Sequence, residues 1–385
     1  ELILEACANA CKDDTIRLFP FRYGNPEALL EECHEGKRFL SERMHQGWLD
    51  KVNMLTYPLV QDHNATNQKL PEKDRQSFDD YDSWVACADS TGRIYLFPQD
   101  EESKVPPCVR NPRNHQKAVL DFAVDWENMR CVSAGVDGII VFHDLKTDEP
   151  QHMLMVAGEC NLSAVHDFWS TLDVDFQLGK MSAGLSSGHV QLVDLQVGKA
   201  VYMFPCHNRL IRRVATDWAA NELASCSYDG CINLSDLRTG KVIRQIQGRG
   251  QWDAMDVSFD QHLLLASSKF KPATMLCDLR TGKIIQEYEL SDHRPNWISV
   301  NWATKTACTG ADDGKVKLWQ LDTGEVSRTI DCDHFLTQSL DICWSRGLLL
   351  TGSFDYQFKM WDVTTGDLLK QFVAPRRCVT RVLLQ

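Results

Sequence analysis

Four histidines of the sequence are each followed, 20 to 22 residues later, by an aspartate, with a serine or threonine in between. They are His115, His207, His293 and His334. Ser, His and Asp are the residue types with which many hydrolases activate a hydroxyl nucleophile. Such an enzyme needs one set of these residues beside a pocket with oxyanion donors, whereas here the set recurs along the chain. Recurrence favours a hydrogen-bond network that joins the strands of a repeated unit, because buried polar groups must be paired.

Other sequence signatures of catalysis are weak. The sequence has no GxxxxGK[ST], GxGxxG or HExxH segment, so nothing predicts a phosphate cradle or a zinc-protease helix. One GxSxG match, at residues 184–188, falls on the Ser187-Gly188 turn of the repeat between two strand patterns, whereas a nucleophile elbow needs a helix after the turn. Its 15 cysteines include no C-x-x-C pair and fall mostly in strand patterns, where a thiol behaves as a small apolar group. We therefore expect no catalytic residue, metal, cofactor or small-molecule substrate. Free thiols suit a reducing compartment, so we expect an intracellular protein, cytoplasmic or nuclear.

Charge and hydropathy restrict the classes of partner. The formal net charge is −12 and the isoelectric point is about 5.5, which disfavours nucleic acid because that ligand is bound mainly through cation–phosphate contacts. The longest apolar runs are only a few residues, too short to cross a bilayer as a helix. We therefore expect other proteins or peptides as partners, with no nucleic acid and no membrane.

The repeat is clearest between residues 293 and 362, where one pattern occurs twice. Each copy has a His, an apolar strand ending in Trp, a second strand with Thr, an Asp turn, and a third strand ending in Trp. Most matched positions lie 42 residues apart. A period of about 40 to 45 residues with these signatures is typical of a four-stranded propeller blade. Here the chain resembles the WD40-repeat family, whose structural tetrad is represented by two sets: His293, Thr309, Asp313 and Trp319, and His334, Thr351, Asp355 and Trp361.

The same frame can be followed back along the chain, and it is found eight times. The turn positions are Asp13, Thr91, Asp137, Ser187, Asp229, Lys271, Asp313 and Asp355. Outside the last two copies the tetrad is eroded. The His115 repeat ends in His143 and the His207 repeat ends in Ser235, where the family has Trp.

The frame predicts an all-β, WD40-type β-propeller that forms a single domain over residues 1–385. Residues 2–22 contain the second and third strands of a blade but no first strand, and residues 378–385 contain a first strand with nothing after it. Joining them closes the ring without exposed sheet edges. We therefore expect eight blades, with the first made from 2–22 and 378–385 and the others from 48–372. Seven blades with frayed termini is the alternative.

Two insertions account for the long spacing between the first two repeats. Residues 25–46 begin with Asn-Pro-Glu and carry apolar residues at helical spacing, which predicts one or two short helices. Residues 61–82 are polar and acidic and contain Pro, which predicts a long exposed loop.

The resemblance also implies where partners bind. In this family the residue before each turn Asp commonly touches a partner, and three of these positions hold aromatics, which are common binding anchors: Tyr228, Phe270 and Phe354. Arginines that could bind an acidic or phosphorylated peptide collect near first strands: Arg212, Arg213, Arg294, Arg376 and Arg377. Two alternatives stay open, since the aromatics could fold onto neighbouring loops and the arginines could pair within the protein.

The function that we expect is a non-enzymatic protein–protein interaction scaffold within a multiprotein complex. The alternative is a reader of phosphorylated or acidic peptides, such as the substrate receptor of a ubiquitin ligase. A propeller enzyme is a distant third. The resemblance specifies architecture much better than biology.

Overall fold

The structure is a computed structural model, and it describes residues 84–99, 108–110, 115–145, 149–155, 168–248, 250–269, 271–290, 293–334, 337–353, 355–373 and 379–384. The chain divides into two compact units, Glu1–Arg75 and Gln76–Gln385, and every described strand belongs to the second. The predicted strands in 2–22, the helical insertion at 25–46 and the loop at 61–82 lie outside the described residues. That residues 1–385 form a single domain also stays a prediction.

The described residues form 28 strands. The first fourteen are β1 (Trp84–Asp89), β2 (Ile94–Pro98), β3 (Cys108–Arg110), β4 (Val119–Asp125), β5 (Arg130–Gly135), β6 (Ile139–Asp144), β7 (Glu149–Met155), β8 (Trp169–Asp175), β9 (Lys180–Leu185), β10 (His189–Asp194), β11 (Lys199–Pro205), β12 (Ile211–Asp217), β13 (Glu222–Ser227) and β14 (Cys231–Asp236). The others are β15 (Lys241–Gln247), β16 (Trp252–Ser258), β17 (Leu263–Ser268), β18 (Thr274–Asp278), β19 (Lys283–Tyr288), β20 (Pro295–Asn301), β21 (Thr306–Ala311), β22 (Lys315–Gln320), β23 (Val326–Asp331), β24 (Thr337–Cys343), β25 (Leu348–Ser353), β26 (Gln357–Asp362), β27 (Leu368–Val373) and β28 (Val379–Leu384).

These strands form seven antiparallel sheets of four strands each, and together the sheets make a seven-bladed β-propeller. Blade 1 has the order β28-β1-β2-β3. Blades 2 to 7 each take four consecutive strands, from β4–β7 for blade 2 to β24–β27 for blade 7. The all-β propeller prediction is confirmed.

The prediction of eight blades is wrong. Strand β28 pairs antiparallel with β1, with Val85 opposite Leu384 and Cys87 opposite Val382. Residues 379–384 are therefore the first strand of the sheet that contains residues 84–110, and they are not available to complete a blade from 2–22. The C-terminal strand does close the ring, as expected, but with a different partner. The alternative of seven blades is correct in blade number, but its frayed C-terminus is not, because β28 is a paired strand.

The turn between the second and third strands packs against the next blade. Gly188 and Gly314 have φ angles of 88° and 76°, which side-chain-bearing residues rarely adopt. A Cβ atom at Gly188 would lie 2.2 Å from the carbonyl oxygen of His207, and one at Gly314 would lie 2.3 Å from that of His334. Glycine is thus required both by the hairpin and by the close approach of the histidine that precedes the next blade.

The core lies between blades rather than inside any one of them. Among the described residues there are seven clusters of buried apolar side chains, and each cluster draws on two neighbouring blades. The cluster at the closing junction is aromatic. Phe97 of blade 1 lies edge-on to Phe358 of blade 7, with ring centroids 4.8 Å apart, and Phe358 stacks on Phe372 at 4.6 Å.

Carboxylates tie the first strands of neighbouring blades together. The backbone amide of Thr216 donates to Asp173 at 2.6 Å, that of Val300 donates to Asp256 at 2.7 Å, and that of Leu384 donates to Asp341 at 2.8 Å. The amide of Leu172 donates to Asp121 in the same way, at 2.9 Å. In each case the carboxylate belongs to one blade and the amide to the next. These bonds fix the rotation of one sheet against its neighbour around the central channel.

We expect Phe358→Ala to destabilise the protein by about 3 to 5 kcal/mol, because it leaves a cavity at the closing junction. Leu369→Ala, on the neighbouring strand β27, is the control: this side chain is 47% exposed, and its truncation should change the free energy of unfolding by about 0.5 kcal/mol or less. Urea denaturation measures both. Equal effects would contradict the placement of Phe358 in the closing core.

Candidate functional site

One predicted tetrad is joined by hydrogen bonds in blade 7. The Nδ1 atom of His334 lies 2.9 Å from the Asp355 carboxylate, and its Nε2 atom lies 3.0 Å from the Thr351 hydroxyl. The indole Nε1–H of Trp361 donates to the same hydroxyl at 3.0 Å. The network links the segment before β24 to β25, the following turn and β26. It therefore holds the blade together from its first strand to its third.

The other predicted tetrad has a different arrangement in blade 6. Thr309 and Trp319 are buried as expected, but His293 is exposed, and within the described residues no hydrogen bond joins it to Thr309 or Asp313. The buried indole nitrogen of Trp319 has no hydrogen-bond partner there either. His293 lies 20 residues before its Asp, which is the shortest spacing of the four sets. The histidines that are in register lie 21 or 22 residues before theirs: His334, His115 and His207.

The His115 repeat keeps its network although it lacks Trp. The Nε2 atom of His115 lies 2.8 Å from the Ser133 hydroxyl, and its Nδ1 atom lies 3.1 Å from Asp137. His143 takes the Trp position, with its Nε2 atom 3.1 Å from Ser133. Burial, assisted by the nearby His115, lowers the pKa of His143 to about 3. A neutral imidazole therefore replaces the indole.

A thiol completes the His207 repeat. The Nε2 and Nδ1 atoms of His207 each lie 2.9 Å from their partners, the Ser225 hydroxyl and the Asp229 carboxylate. The Cys206 sulfur lies 3.2 Å from Ser225 and 3.4 Å from Ser235, the residue that replaces Trp. The small Ser235 side chain thus leaves room for a neighbouring thiol to reach the shared hydroxyl.

Turns and strand starts at one end of the blades bring the predicted partner-binding residues together. Antiparallel pairing places the turn after each second strand at the same end as the entry to each first strand, and we call this end the loop face. Tyr228 follows β13 there. Its hydroxyl donates to Asp253 at 3.2 Å and accepts from the Lys269 ammonium at 3.1 Å. The Arg212 guanidinium donates to the same Asp253 carboxylate at 2.8 Å.

Arg294 is also paired within the protein. Its Nε–H donates to Asp312 at 2.9 Å, and a second guanidinium nitrogen donates to the Lys269 carbonyl at 2.9 Å. The side-chain amide of Asn296 donates to the same Asp312 at 3.0 Å. Thus Arg212 and Arg294 both contact carboxylates of their own chain. Phe270, Phe354, Arg376 and Arg377 lie outside the described residues.

Arg213 points into the central channel rather than outward. Its guanidinium carbon lies 4.0 Å from the ring centroid of Trp297, and that of Arg381 lies 4.3 Å from the same centroid. Arg381 also donates to Asp121 at 3.0 Å. These side chains come from the first strands of blades 4, 6, 1 and 2, so they meet across the channel. We call Arg213, Trp297 and Arg381 the channel stack.

Sequence reasoning missed Trp297 and Arg381, although a signal for both was present. Arg213, Trp297 and Arg381 are each the third residue of a first strand, and they lie 84 residues apart, which is twice the repeat period. Comparing first strands with one another, in addition to the turns, would have grouped them. Their contacts could not be predicted, because the period does not say which side chains reach across the ring.

Sequence reasoning also missed a pocket of about 520 Å³ at the opposite ends of the strands of blades 2 to 4. Two tryptophans, Trp126 and Trp218, line this pocket. Carboxylates of Asp125 and Asp175 stand beside them. Lys180 places its ammonium 5.5 Å from the Trp218 ring centroid, so a cation of the protein already occupies one aromatic face.

Comparison with known proteins supports the architecture. No protein-family model matches the chain. A curated relative, Mitochondrial division protein 1 of Aspergillus terreus, is a WD40 protein; it is 23% identical over 171 residues, which cover 44% of this chain and 24% of the relative. The seven-bladed fold and this match both fit the WD40-repeat family, which the chain resembles. The crystal structure of the computationally designed Ika8 protein is similar in fold, with a TM-score of 0.60 at 17% identity over 78% of this chain and 87% of that one.

WD40 propellers are generally non-enzymatic and typically bind other proteins. The repeated Ser-His-Asp sets of this propeller agree with a structural role, because Ser133, Ser225 and Thr351 are completely buried. Their hydroxyls join strands and face no opening through which a substrate carbonyl could arrive. Within the described part of the chain, no helix is long and apolar enough to cross a membrane.

The His207 pair makes the stability of this propeller depend on pH. Burial alone would lower the pKa of His207, but the Asp229 hydrogen bond and the Cys206 thiol raise it to about 9. Burial likewise opposes ionisation of Asp229, whereas hydrogen bonds from His207 and the Asn208 amide lower its pKa to about 2. The histidine contribution is complete below its unfolded-state pKa of about 6.5 and is lost as the pH rises through 9. The aspartate contribution is complete above about pH 4 and is lost as the pH falls through 2.

We therefore expect the free energy of unfolding of the wild type to fall between pH 6.5 and pH 9 relative to that of His207→Gln, which has no imidazole to titrate. Urea denaturation at a series of pH values measures the difference. Asp229→Asn should remove most of the same slope, because it removes the main group that stabilises the imidazolium. Parallel curves for the wild type and His207→Gln would contradict the assigned pair.

The two tryptophans of blades 6 and 7 provide a matched comparison. We expect Trp361→Phe to cost about 1 kcal/mol more than Trp319→Phe, because only Trp361 loses a hydrogen bond. The volume lost from the core is the same at both sites. Thermal or chemical denaturation of the two variants measures the difference, and a larger loss for Trp319→Phe would show that its indole nitrogen is paired in solution.

Proposed function

We propose that this WD40 propeller is a non-enzymatic scaffold for protein–protein interactions within a multiprotein complex, and that its principal partner binds the loop face. The family affiliation supports the class of function, since WD40 propellers typically bind proteins. The matched segment covers only 24% of the curated relative, so the activity of that whole protein is not transferred. Location in the cytoplasm or nucleus, and the absence of nucleic-acid or membrane partners, remain part of the proposal.

The observation that carries this proposal is the fixed position of Tyr228. Its side chain is half-buried, and its hydroxyl is held between the Asp253 carboxylate and the Lys269 ammonium. The Lys269 ammonium also lies 4.2 Å from the centroid of the ring. An aromatic side chain ordered before a partner arrives loses little conformational entropy on binding, which favours its use as an anchor. Phe270 and Phe354, at equivalent positions of the repeat, are proposed to extend the same surface.

The alternative function is a reader of phosphorylated or acidic peptides, such as a ubiquitin-ligase substrate receptor. Some arginines of the loop face favour it and others do not. Arg212 and Arg294 are engaged by Asp253 and Asp312, so using them for a ligand would first cost these ion pairs. The position of Arg213 favours this alternative, as argued below. Arg376 and Arg377 stay candidates for this role. A propeller enzyme has the least support, because the hydroxyls of the repeated sets are buried.

The test is capture of partners from cell extract by the wild type and by two tyrosine variants, followed by mass spectrometry. We expect Tyr228→Ala to lose the principal partner and Tyr228→Phe to retain it, because the ring provides most of the contact. Tyr202→Ala is the control, since Tyr202 is 42% exposed on the outer strand β11, away from the loop face. Truncating Tyr228 should lower the unfolding midpoint only modestly, because the contacts that it loses, with Asp253 and Lys269, lie at a half-buried surface.

Two outcomes would contradict this proposal. Loss of the partner in Tyr202→Ala but not in Tyr228→Ala would place the binding surface on the outer strands. A large fall in the unfolding midpoint of Tyr228→Ala would show that the ring is part of the core.

A further inference from the structure

Arg213 differs from three neighbouring arginines of the loop face and channel. Arg212, Arg294 and Arg381 each form an ion pair with an aspartate. Among the described residues, no carboxylate lies within ion-pair distance of Arg213. Its printed contacts are the face of Trp297 and one long hydrogen bond, 3.4 Å, from its guanidinium to the Arg212 carbonyl.

This arrangement is costly for the free protein. Burial, together with the positive charges of Arg381 and Arg212 and against the opposing effect of Asp121, lowers the pKa of Arg213 to about 10. The group therefore remains protonated at neutral pH while its charge is poorly solvated and repelled by its neighbours. An incompletely compensated charge in a confined position typically reduces stability, and such positions concentrate at binding sites.

The carboxylates around the channel stack already have partners. Asp121 accepts from Arg381, Asp253 accepts from Arg212, and Asp341, which also interacts electrostatically with Arg381, accepts from the Leu384 amide. Arg213 is therefore left without a carboxylate within ion-pair distance among the described residues. A carboxylate from a ligand would supply one, whereas a phosphate dianion would be repelled more strongly by the nearby aspartates.

The position of Arg213 also suits a ligand that enters from the loop face. It is the third residue of β12, one residue further along the strand than Arg212, and the Trp297 side chain that contacts it comes from blade 6, two blades further round. The Trp297 indole covers one face of the Arg213 guanidinium, so the N–H groups along its edge can form hydrogen bonds. Planar carboxylates bind that edge through two parallel N–H···O bonds.

We infer that the partner bound at the loop face inserts an acidic side chain into the channel mouth, where its carboxylate pairs with Arg213 above Trp297. This inference rests on the proposed function and adds the chemistry of the ligand. Arg213 is kept unpaired at a cost in stability that the partner removes on binding. The channel stack then forms the bottom of the site. Tyr228, with its partners Asp253 and Lys269, forms the edge at the loop face.

The experiment uses an acetylated and amidated hexaglutamate peptide, with the hexaglutamine peptide as its neutral counterpart, at low ionic strength. Titration calorimetry should detect binding of hexaglutamate alone by the full chain. Arg213→Gln should weaken that binding about tenfold or more, because a charge-assisted pair is lost. Without peptide, the same variant should unfold at a temperature about 2 °C higher than the wild type, because an uncompensated charge is removed.

Two matched variants separate the site from general charge effects. Arg212→Gln should lower the unfolding midpoint, because it leaves Asp253 without its arginine. Arg238→Gln removes an arginine whose side chain is 73% exposed, and it should change neither peptide binding nor the midpoint. A fall in the midpoint of Arg213→Gln comparable to that of Arg212→Gln would overturn the inference, since Arg213 would then be satisfied in the free protein.

The remaining outcomes are equally decisive. Failure of the wild type to bind hexaglutamate, or equal binding by the wild type and Arg213→Gln, would overturn the carboxylate site. Inorganic phosphate that binds more tightly than hexaglutamate, and does so through Arg213, would replace a carboxylate ligand with a phosphorylated one. Loss of the peptide site with partner capture still dependent on Tyr228 would remove only this inference, whereas capture independent of Tyr228 would remove the proposed docking face.

Discussion

Pairing of the first strand of blade 1 with the rest of that sheet is the constraint on which the ring depends. No blade encloses a core of its own, since every cluster of buried apolar side chains among the described residues is shared by two neighbours. A blade without a neighbour on each side would expose one of these clusters to water. The six residues of β28 supply the strand that allows the blades at the two ends of the described array to meet. The edge of β1 would otherwise be free to pair with another chain.

The fold class and much of the blade frame could be predicted from the sequence, because the residues that repeat are those that form the turns and the hydrogen-bond network of each blade. The Asp-Gly and Ser-Gly turns need a positive φ angle, and the tetrad residues need each other as hydrogen-bond partners. The number of blades could not be read in the same way. Residues 2–20 and 84–89 each contain a strand pattern with which residues 378–385 could pair, and only the pairing of Val382 with Cys87 decides between them. Local patterns cannot rank two distant partners for one strand.

The sites show the same limit at a finer scale. His293 matches the family pattern in residue type, but it lies 20 residues before its Asp instead of 21 or 22, and it is exposed where the other three histidines are buried. Likewise, the internal pairing of Arg212 depends on Asp253, which lies 41 residues away on the next blade. The blades with eroded tetrads show the opposite behaviour. His143 and Cys206 restore contacts to the shared serine hydroxyl with chemistry that the family motif does not contain. A motif search counts such blades as degenerate, whereas their hydrogen bonds are nearly complete.

Closure of the ring by β28 has a consequence for how the protein is made. The hydroxyl of Thr380 donates to the carbonyl of Ala88, across 292 residues of sequence. During synthesis the blades from 2 onward can stack as they leave the ribosome, but blade 1 has to wait with an open edge until the last strand emerges. Contacts between such distant segments are slow to form, because a long loop must be closed before they contribute any stability. The nascent chain is therefore most prone to exchange strands with a second copy of itself during this interval, and chaperones that shield β-sheet edges should matter most to its yield at that stage.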